Sequence, residues 1–168
     1  MAQINDPRKL FTYQLGTALS SEKKILSMLK KNEKRARGEE LKQQFRHHRE
    51  ETEGQIRNIQ QAFDALGERV TGHSNPAVEG LAEQADTLYE KTDEQIADSV
   101  LLTGAAETEH LEIALYEDLI TQARAMGQER VVVLLEENLE QEQHTLQEVK
   151  RAFEELAQRS VREMSVVS

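Results

Sequence analysis

Cysteine is absent from these 168 residues, which excludes disulfides, thiolate metal sites and a cysteine nucleophile together. Proline occurs only twice and aromatic residues make up 4% of the chain. That is the composition of a mostly helical protein rather than a β-sandwich. No apolar run approaches the roughly 20 residues of a membrane span, and the opening MAQINDPRKL does not resemble a signal peptide. The expected address is therefore the cytoplasm, with no membrane span. Positive charge is also in deficit: the net charge of −10 argues against nucleic acid as a general partner. One local exception, Glu22–Arg49, holds ten Lys or Arg against four acids and reads as a solvated hairpin face. There is no nucleophile–base motif and no glycine-rich phosphate loop, which sets hydrolases and transferases aside.

What is present is a set of long amphipathic segments. Asp6-Pro7 supplies an N-cap and a first-turn proline, so a helix is expected over about 7–30, with Phe11, Leu15, Ala18, Leu19, Ile25, Leu26 and Leu29 as its apolar stripe. A polar turn, Lys31–Gly38, leads to a second helix over 39–66, capped by Gly67. Its stripe is Leu41, Phe45, Thr52, Ile56, Ile59, Phe63 and Leu66. The segment Glu68–Lys91, broken by Gly72, Asn75-Pro76 and Gly80, carries a short helix over 76–90. Thr92-Asp93 opens a helix over 93–126 that stops at Gly127, and a last helix covers 128–159 with the stripe Val131, Leu135, Leu139, Leu146, Val149 and Phe153. Ser160–Ser168 reads as a frayed tail. Two hairpins joined by one long connection, in a single domain over 1–168, are the plan of an all-α, ferritin-like four-helix bundle. The second helix rises about 40 Å at 1.5 Å per residue, and a linker with its own short helix can return along it.

The stripes are not wholly apolar. With Glu109 as zero and about 100° per residue, Leu102, Ala105, Ala106, Ile113, Tyr116 and Ile120 all fall within roughly 60° of it. A carboxylate on such a face needs a charge partner, a proton or a metal; taken alone, an ion pair with a Lys or Arg of a neighbouring helix explains it. Glu22, His48 and Glu142 stand at the centres of the other three stripes, with Glu51 and Glu112 near the same faces. Ordinary cores hold few such groups, and four on four helices weaken the ion-pair reading. Height supports convergence. With the first turn centred near Lys34, Glu22 lies 12 residues before it and His48 and Glu51 lie 14 and 17 after. About Gly127, Glu109 and Glu112 lie 18 and 15 before and Glu142 lies 15 after. Facing Glu and His at one level in a bundle are how di-iron and di-manganese carboxylate sites are built, so the expected ligands are Glu22, His48, Glu51, Glu109, Glu112 and Glu142. His144 points about 200° from Glu142 and is excluded. His110 is about 100° off Glu109, supporting a ligand or lying at an interface. His73 is expected at the surface. Tyr116 either hydrogen-bonds a ligand, takes part in redox chemistry or is a core tyrosine with a satisfied hydroxyl. Leu111 and Leu115, on another face, call for a contact with the crossover or a second subunit.

HHREETEGQI (47–56) and ETEHLEIALYEDLI (107–120) resemble signature segments of the YciF-type branch of ferritin-like proteins. SEKKIL (21–26) and LLEENLEQE (134–142) are similar to that family too, and the resemblance covers about Leu10–Leu156. It implies a ferritin-like bundle, a homodimer, a dinuclear metal site and a link to stress responses; matched by position, it carries over Glu22, His48, Glu51, Glu109 and Glu142, with Glu112 as a sixth. The chain departs from the general Glu-x-x-His pattern twice, with the order inverted at His48-x-x-Glu51 and with Thr145 three residues after Glu142. Two functions stand against each other. One is a protein holding two iron ions (or manganese) that reacts with oxygen or peroxide in an oxidase- or peroxidase-like way. The other is a non-enzymatic helical stress or interaction protein whose polar layer is structural or holds metal weakly.

Overall fold

The computed structural model describes the backbone of residues 3–167 and side chains as far as residue 162. Its helices are α1 (Pro7–Arg35), α2 (Glu39–Leu66), α3 (Pro76–Glu90), α4 (Ala97–Ala125) and α5 (Glu129–Val167), with a 3-10 turn at Glu94–Ile96. The start and stop signals act as their chemistry dictates. Asp6 accepts a hydrogen bond from the Lys9 amide at 3.0 Å, ahead of Pro7, and Asn75 accepts one from the Ala77 amide at 3.1 Å, ahead of Pro76. Gly67 and Gly127 both adopt φ 67°, a left-handed conformation that favours glycine. At each, the glycine amide and the next one donate back to the end of the helix, closing it.

Three boundaries differ from the expectation. α1 continues to Arg35, leaving only residues 36–38 for the turn; Lys34 and Arg35 complement the dipole at its C-terminus. Asp93 does cap a helical start, through the Gln95 amide, but the first turn is 3-10 and the α-helix begins at Ala97. α5 runs past Arg159 to Val167, where no glycine or proline interrupts it, and Ser168 lies outside the described residues.

α1 packs on α2, α2 on α5, α5 on α4, and α4 on α1. Every adjacent pair is antiparallel: Gln14 meets Asp118 and Gln122 while Gly38 meets Asp98, and Asn58 meets Asn138 while Glu51 meets Thr145. This ring leaves α2 and α4 parallel across the diagonal, as the long crossover demands. α3 lies outside the ring against α4 and α1. It supplies the contact expected at Leu111, which packs into the apolar cluster holding Val78.

The basic run Glu22–Arg49 keeps a solvated face, and several of its side chains also moor α3 and the following turn. Lys24 pairs with Glu79 at 2.5 Å, Lys31 and Arg35 both reach Asp86 at 2.7 and 2.6 Å, and Arg37 reaches Glu94 at 2.9 Å. The Arg35 guanidinium also sits 4.1 Å over the Tyr89 ring. The hydrogen bond from Lys31, reinforced by Arg35, holds the Asp86 carboxyl below its usual range against the opposing effect of burial. Exposed pairs of this kind stabilise little; they orient the crossover. Asp98 on α4 joins the hairpins more directly. Gly38 begins α2 with no side-chain cap, and the Asp98 carboxylate accepts the Arg37 and Gly38 amides just ahead of the helix at 2.8 and 2.9 Å.

The crossover also presses on α1. The His73 amide donates to the Gly16 carbonyl at 3.1 Å, and the His73 ring stacks on Tyr13 with centroids 4.1 Å apart. His73 is thus half-buried rather than a free surface residue. A Cβ on Gly16 would meet Thr71 O and His73 Cδ2 at 2.8 Å.

The apolar core is in two parts. Phe11, Leu15, Ile59, Phe63, Leu119 and Leu135 lead the cluster at one end. Ile25, Leu41, Phe45, Leu101, Leu102 and Val149 lead the other. Phe153, expected on the inner stripe of α5, is 40% exposed.

Gly16→Ala is expected to lose about 1–3 kcal/mol of stability through overpacking. Gly80→Ala, in the middle of α3 with open space around it, should gain about 0.5–1 kcal/mol. Asp98→Ala should lose about 1 kcal/mol, from the hydrogen bonds of the Arg37 and Gly38 amides to a charged acceptor. Urea unfolding of the three variants checks the set.

Candidate metal centre

Between the two apolar clusters lies a polar layer to which four of the helices contribute. Glu22 from α1, His48 from α2, Glu109 and Glu112 from α4, and Glu142 from α5 are all buried. Each sits where helical phase puts it, on the stripe that faces the bundle axis. His48, Glu109, Glu112 and Glu142 each bring one ligand-type atom within 4.8 Å of the others. His48 Nε2 stands 3.5 Å from Glu109 Oε1 and 3.7 Å from Glu142 Oε2, beyond good hydrogen-bonding distance. Glu22 adjoins this group, its Oε1 accepting a hydrogen bond from the Tyr116 hydroxyl.

Glu51 is placed differently. It is half-buried at the rim between α2 and α5, where Thr145 Oγ1 donates to its Oε2 at 3.4 Å and His47 Nε2 stands 3.4 Å from its Oε1. His110 and His144 are exposed, the latter beside Glu148. Tyr116 is a buried core tyrosine with a satisfied hydroxyl, and the residue it satisfies is Glu22.

Two residues of the layer were not singled out in the sequence. Asn138 Nδ2 donates to Tyr116 Oη at 3.0 Å and to the Gln55 carbonyl at 3.3 Å, and its Oδ1 accepts from Asn58 at 2.8 Å. Gln55 is fully buried with neither amide atom partnered. The signal was available: Gln55 is seven residues from His48 and Asn138 four from Glu142, the spacings that return a helix to the same face.

The layer's electrostatics are under strain. Burial drives the carboxyls of Glu22, Glu109 and Glu112 well above their usual range, and the nearby charge of Glu142 adds to it. Burial also opposes the charge on Glu142, but the neighbouring His48 imidazole, then Glu109, prevail and hold its carboxyl below the usual range. Burial, then the charge of Glu22, keeps the Tyr116 phenol protonated well above its ordinary range. No lysine or arginine enters the layer among its described residues, so the ion-pair reading of Glu109 does not hold. Glu22 Oε2, His48 Nε2 and both carboxyl oxygens of Glu109, Glu112 and Glu142 lack hydrogen-bond partners. Buried polar atoms are normally satisfied, so a group of carboxyl oxygens and an imidazole nitrogen left open around one point fits a hard divalent cation.

The chain matches the family model described as a domain of unknown function (DUF892) over residues 6–162. It is 35% identical over 138 residues to protein YciF of Escherichia coli K12, covering 81% of this chain and 83% of that protein. The crystal structure of the E. coli stress protein YciF superposes with a TM-score of 0.88 at 30% identity, covering 92% of this chain and 99% of that one. YcfI from Rhodopseudomonas palustris superposes with a TM-score of 0.86 at 30% identity, over 88% and 95% of the two chains. Among the described residues, no helix is long and apolar enough to cross a membrane.

The layer dictates how the metal-free protein responds to pH. Carboxyls raised above the ordinary 4.5 are protonated in the folded state at pH values where the unfolded chain has released its protons. Stability therefore falls as pH rises from about 4.5 through the raised values. Glu142, shifted the other way, contributes stability that is lost only as pH falls below about 4.5. Chelator-treated protein should resist urea better near pH 5 than near pH 8, and Glu109→Gln should flatten that dependence. Stability that instead increased with pH over this range would show the acids to be paired in their charged form.

Proposed function

The chain belongs to the DUF892 family, and on that footing we propose that it is a ferritin-like metal protein whose buried layer binds two iron or manganese ions and reacts with oxygen or peroxide. The observation that carries this reading is the set of unpartnered buried oxygens of Glu109, Glu112 and Glu142 around the unpartnered His48 Nε2. His48, Glu109, Glu112 and Glu142 would hold the metal, with Glu22 completing the layer on the side of α1. Four carboxylates balance the charge of two divalent cations, which removes the burden of burying them ionised. Bound there, iron or manganese would supply electron transfer to or from oxygen or peroxide.

The surrounding residues fit that task. The two apolar clusters exclude bulk water on either side of the layer. Asn138 fixes the Tyr116 hydroxyl, and Tyr116 in turn fixes Glu22. Burial favours the protonated phenol of Tyr116, whose hydroxyl donates to Glu22. The free amide of Gln55 offers one donor group and one acceptor to a small polar guest. Assembly as a homodimer belongs to the same reading, and sedimentation of the purified chain checks it.

Protein purified from iron- and manganese-supplemented cells is expected to carry about two metal ions per chain, measured by elemental analysis. Glu109→Ala should lose most of them. Little metal in the unaltered protein would leave a helical module with a structural polar layer, the non-enzymatic alternative.

A further inference from the structure

A narrow cleft opens between α2 and α5, with His48 among the residues that line it. Leu41, Phe45, Leu102 and Val149 wall it, while His47, Glu51, Thr145 and Glu148 give it polar edges. Its volume is about 20 Å³, room for one water-sized particle. An organic substrate is too large for it. His48 is 5% exposed, and its Nε2 has no hydrogen-bond partner. Glu51 lines a second, wider hollow as well, on the outer surface beside Glu137, Glu140 and His144 of α5. Neither cavity has a lysine or arginine in its lining, although the chain carries 21 such residues. Glu51 is therefore the residue common to an acidic outer surface and a cleft that the unpartnered His48 helps to line.

We propose that this cleft is the entry path of the divalent cation, and that Glu51 is the transient ligand that takes it from the outer hollow and passes it to His48. The proposal rests on reading the buried layer as a metal centre. A fully hydrated cation does not fit in the cleft, so it must exchange waters for protein oxygens on the way in. Glu51 is free to provide them. Its two contacts, to Thr145 and His47, both stand at 3.4 Å, weak enough to be given up. Carboxylate oxygen suits a hard cation and releases it readily to a site with more ligands. The surplus of acids around the hollow raises the local cation concentration, an effect that salt screens.

Cobalt(II) is a suitable probe, since its visible absorption reports coordination and it avoids oxidation during the measurement. Stopped-flow mixing of metal-free protein with cobalt(II) gives the loading rate, and elemental analysis after desalting gives the final content. Glu51→Gln is expected to reach the same final content as the unaltered protein while loading at least about tenfold more slowly, within the range of electrostatic effects on such rates. Gln44→Trp, at the lining of the cleft and not itself a proposed ligand, should slow loading by obstruction. Glu83→Gln on α3, which removes the same charge elsewhere, should load at the unaltered rate. Unchanged rates in both Glu51→Gln and Gln44→Trp overturn the proposal. So does a lower final content in Glu51→Gln at an unchanged rate, which makes Glu51 a resident ligand. Failure of the unaltered protein to take up cobalt, iron or manganese overturns the metal reading itself, and the entry path with it.

Discussion

The constraint on which this bundle turns is the removal of four carboxyl groups from water at the middle of its core. Glu22, Glu109, Glu112 and Glu142 are each no more than 1% exposed, and an unpaired buried carboxylate costs several kcal/mol. The remaining architecture accommodates that cost. Long apolar clusters on both sides supply the stabilisation the middle lacks, and burial shifts the Glu22, Glu109 and Glu112 carboxyls upward, toward their neutral forms. The hydrogen-bonded series Asn58–Asn138–Tyr116–Glu22 links α2, α5, α4 and α1 around the layer. A core designed for stability alone would fill this space with leucine. The retained acids are the physical ground for reading the layer as a place built to receive positive charge.

Much of this was legible in the sequence, for identifiable reasons. Asp6-Pro7, Asn75-Pro76, Gly67 and Gly127 are local signals, and local chemistry determined the helix ends they mark. The inward faces of Glu22, His48, Glu109, Glu112 and Glu142 followed from helical phase alone. Height in the hairpin was less reliable. With the turn shortened to residues 36–38, Glu51 lies closer in level to Glu22 than His48 does. Even so it stays at the rim, because it is turned about 60° off the His48 direction. Angle decided where height did not. Gln55 and Asn138 went unremarked because neutral amides on a stripe look like interruptions; their role shows only when their partners on other helices are known. The mooring role of the basic run stayed hidden for a similar reason: Glu79 and Asp86 belong to a segment whose docking partner no periodicity announces.

The crossover gives the bundle two unlike sides. α3 covers α1 and α4, and its salt links, the Arg35–Tyr89 stack and the close approach at Gly16 hold it there. Among the described residues the seam between α2 and α5 has no such cover, and its apolar wall is edged by acids, histidines and glutamines. The fold thus covers the layer on the side where the chain must cross over and leaves the opposite seam narrow, with polar edges.

The divided core also sets where the backbone is weakest. A helix usually loses amide protection from its ends inward. Here each long helix runs unbroken from one apolar cluster to the other through a waist whose side chains repel. Opening at the waist relieves that repulsion, whereas opening at either cluster exposes apolar surface to water. Without a cation the amides around Glu109 and Glu142 would exchange with solvent ahead of those beside Leu119 or Leu101. A ligand that neutralises the waist would restore the ordinary order and join the two halves into one cooperative unit.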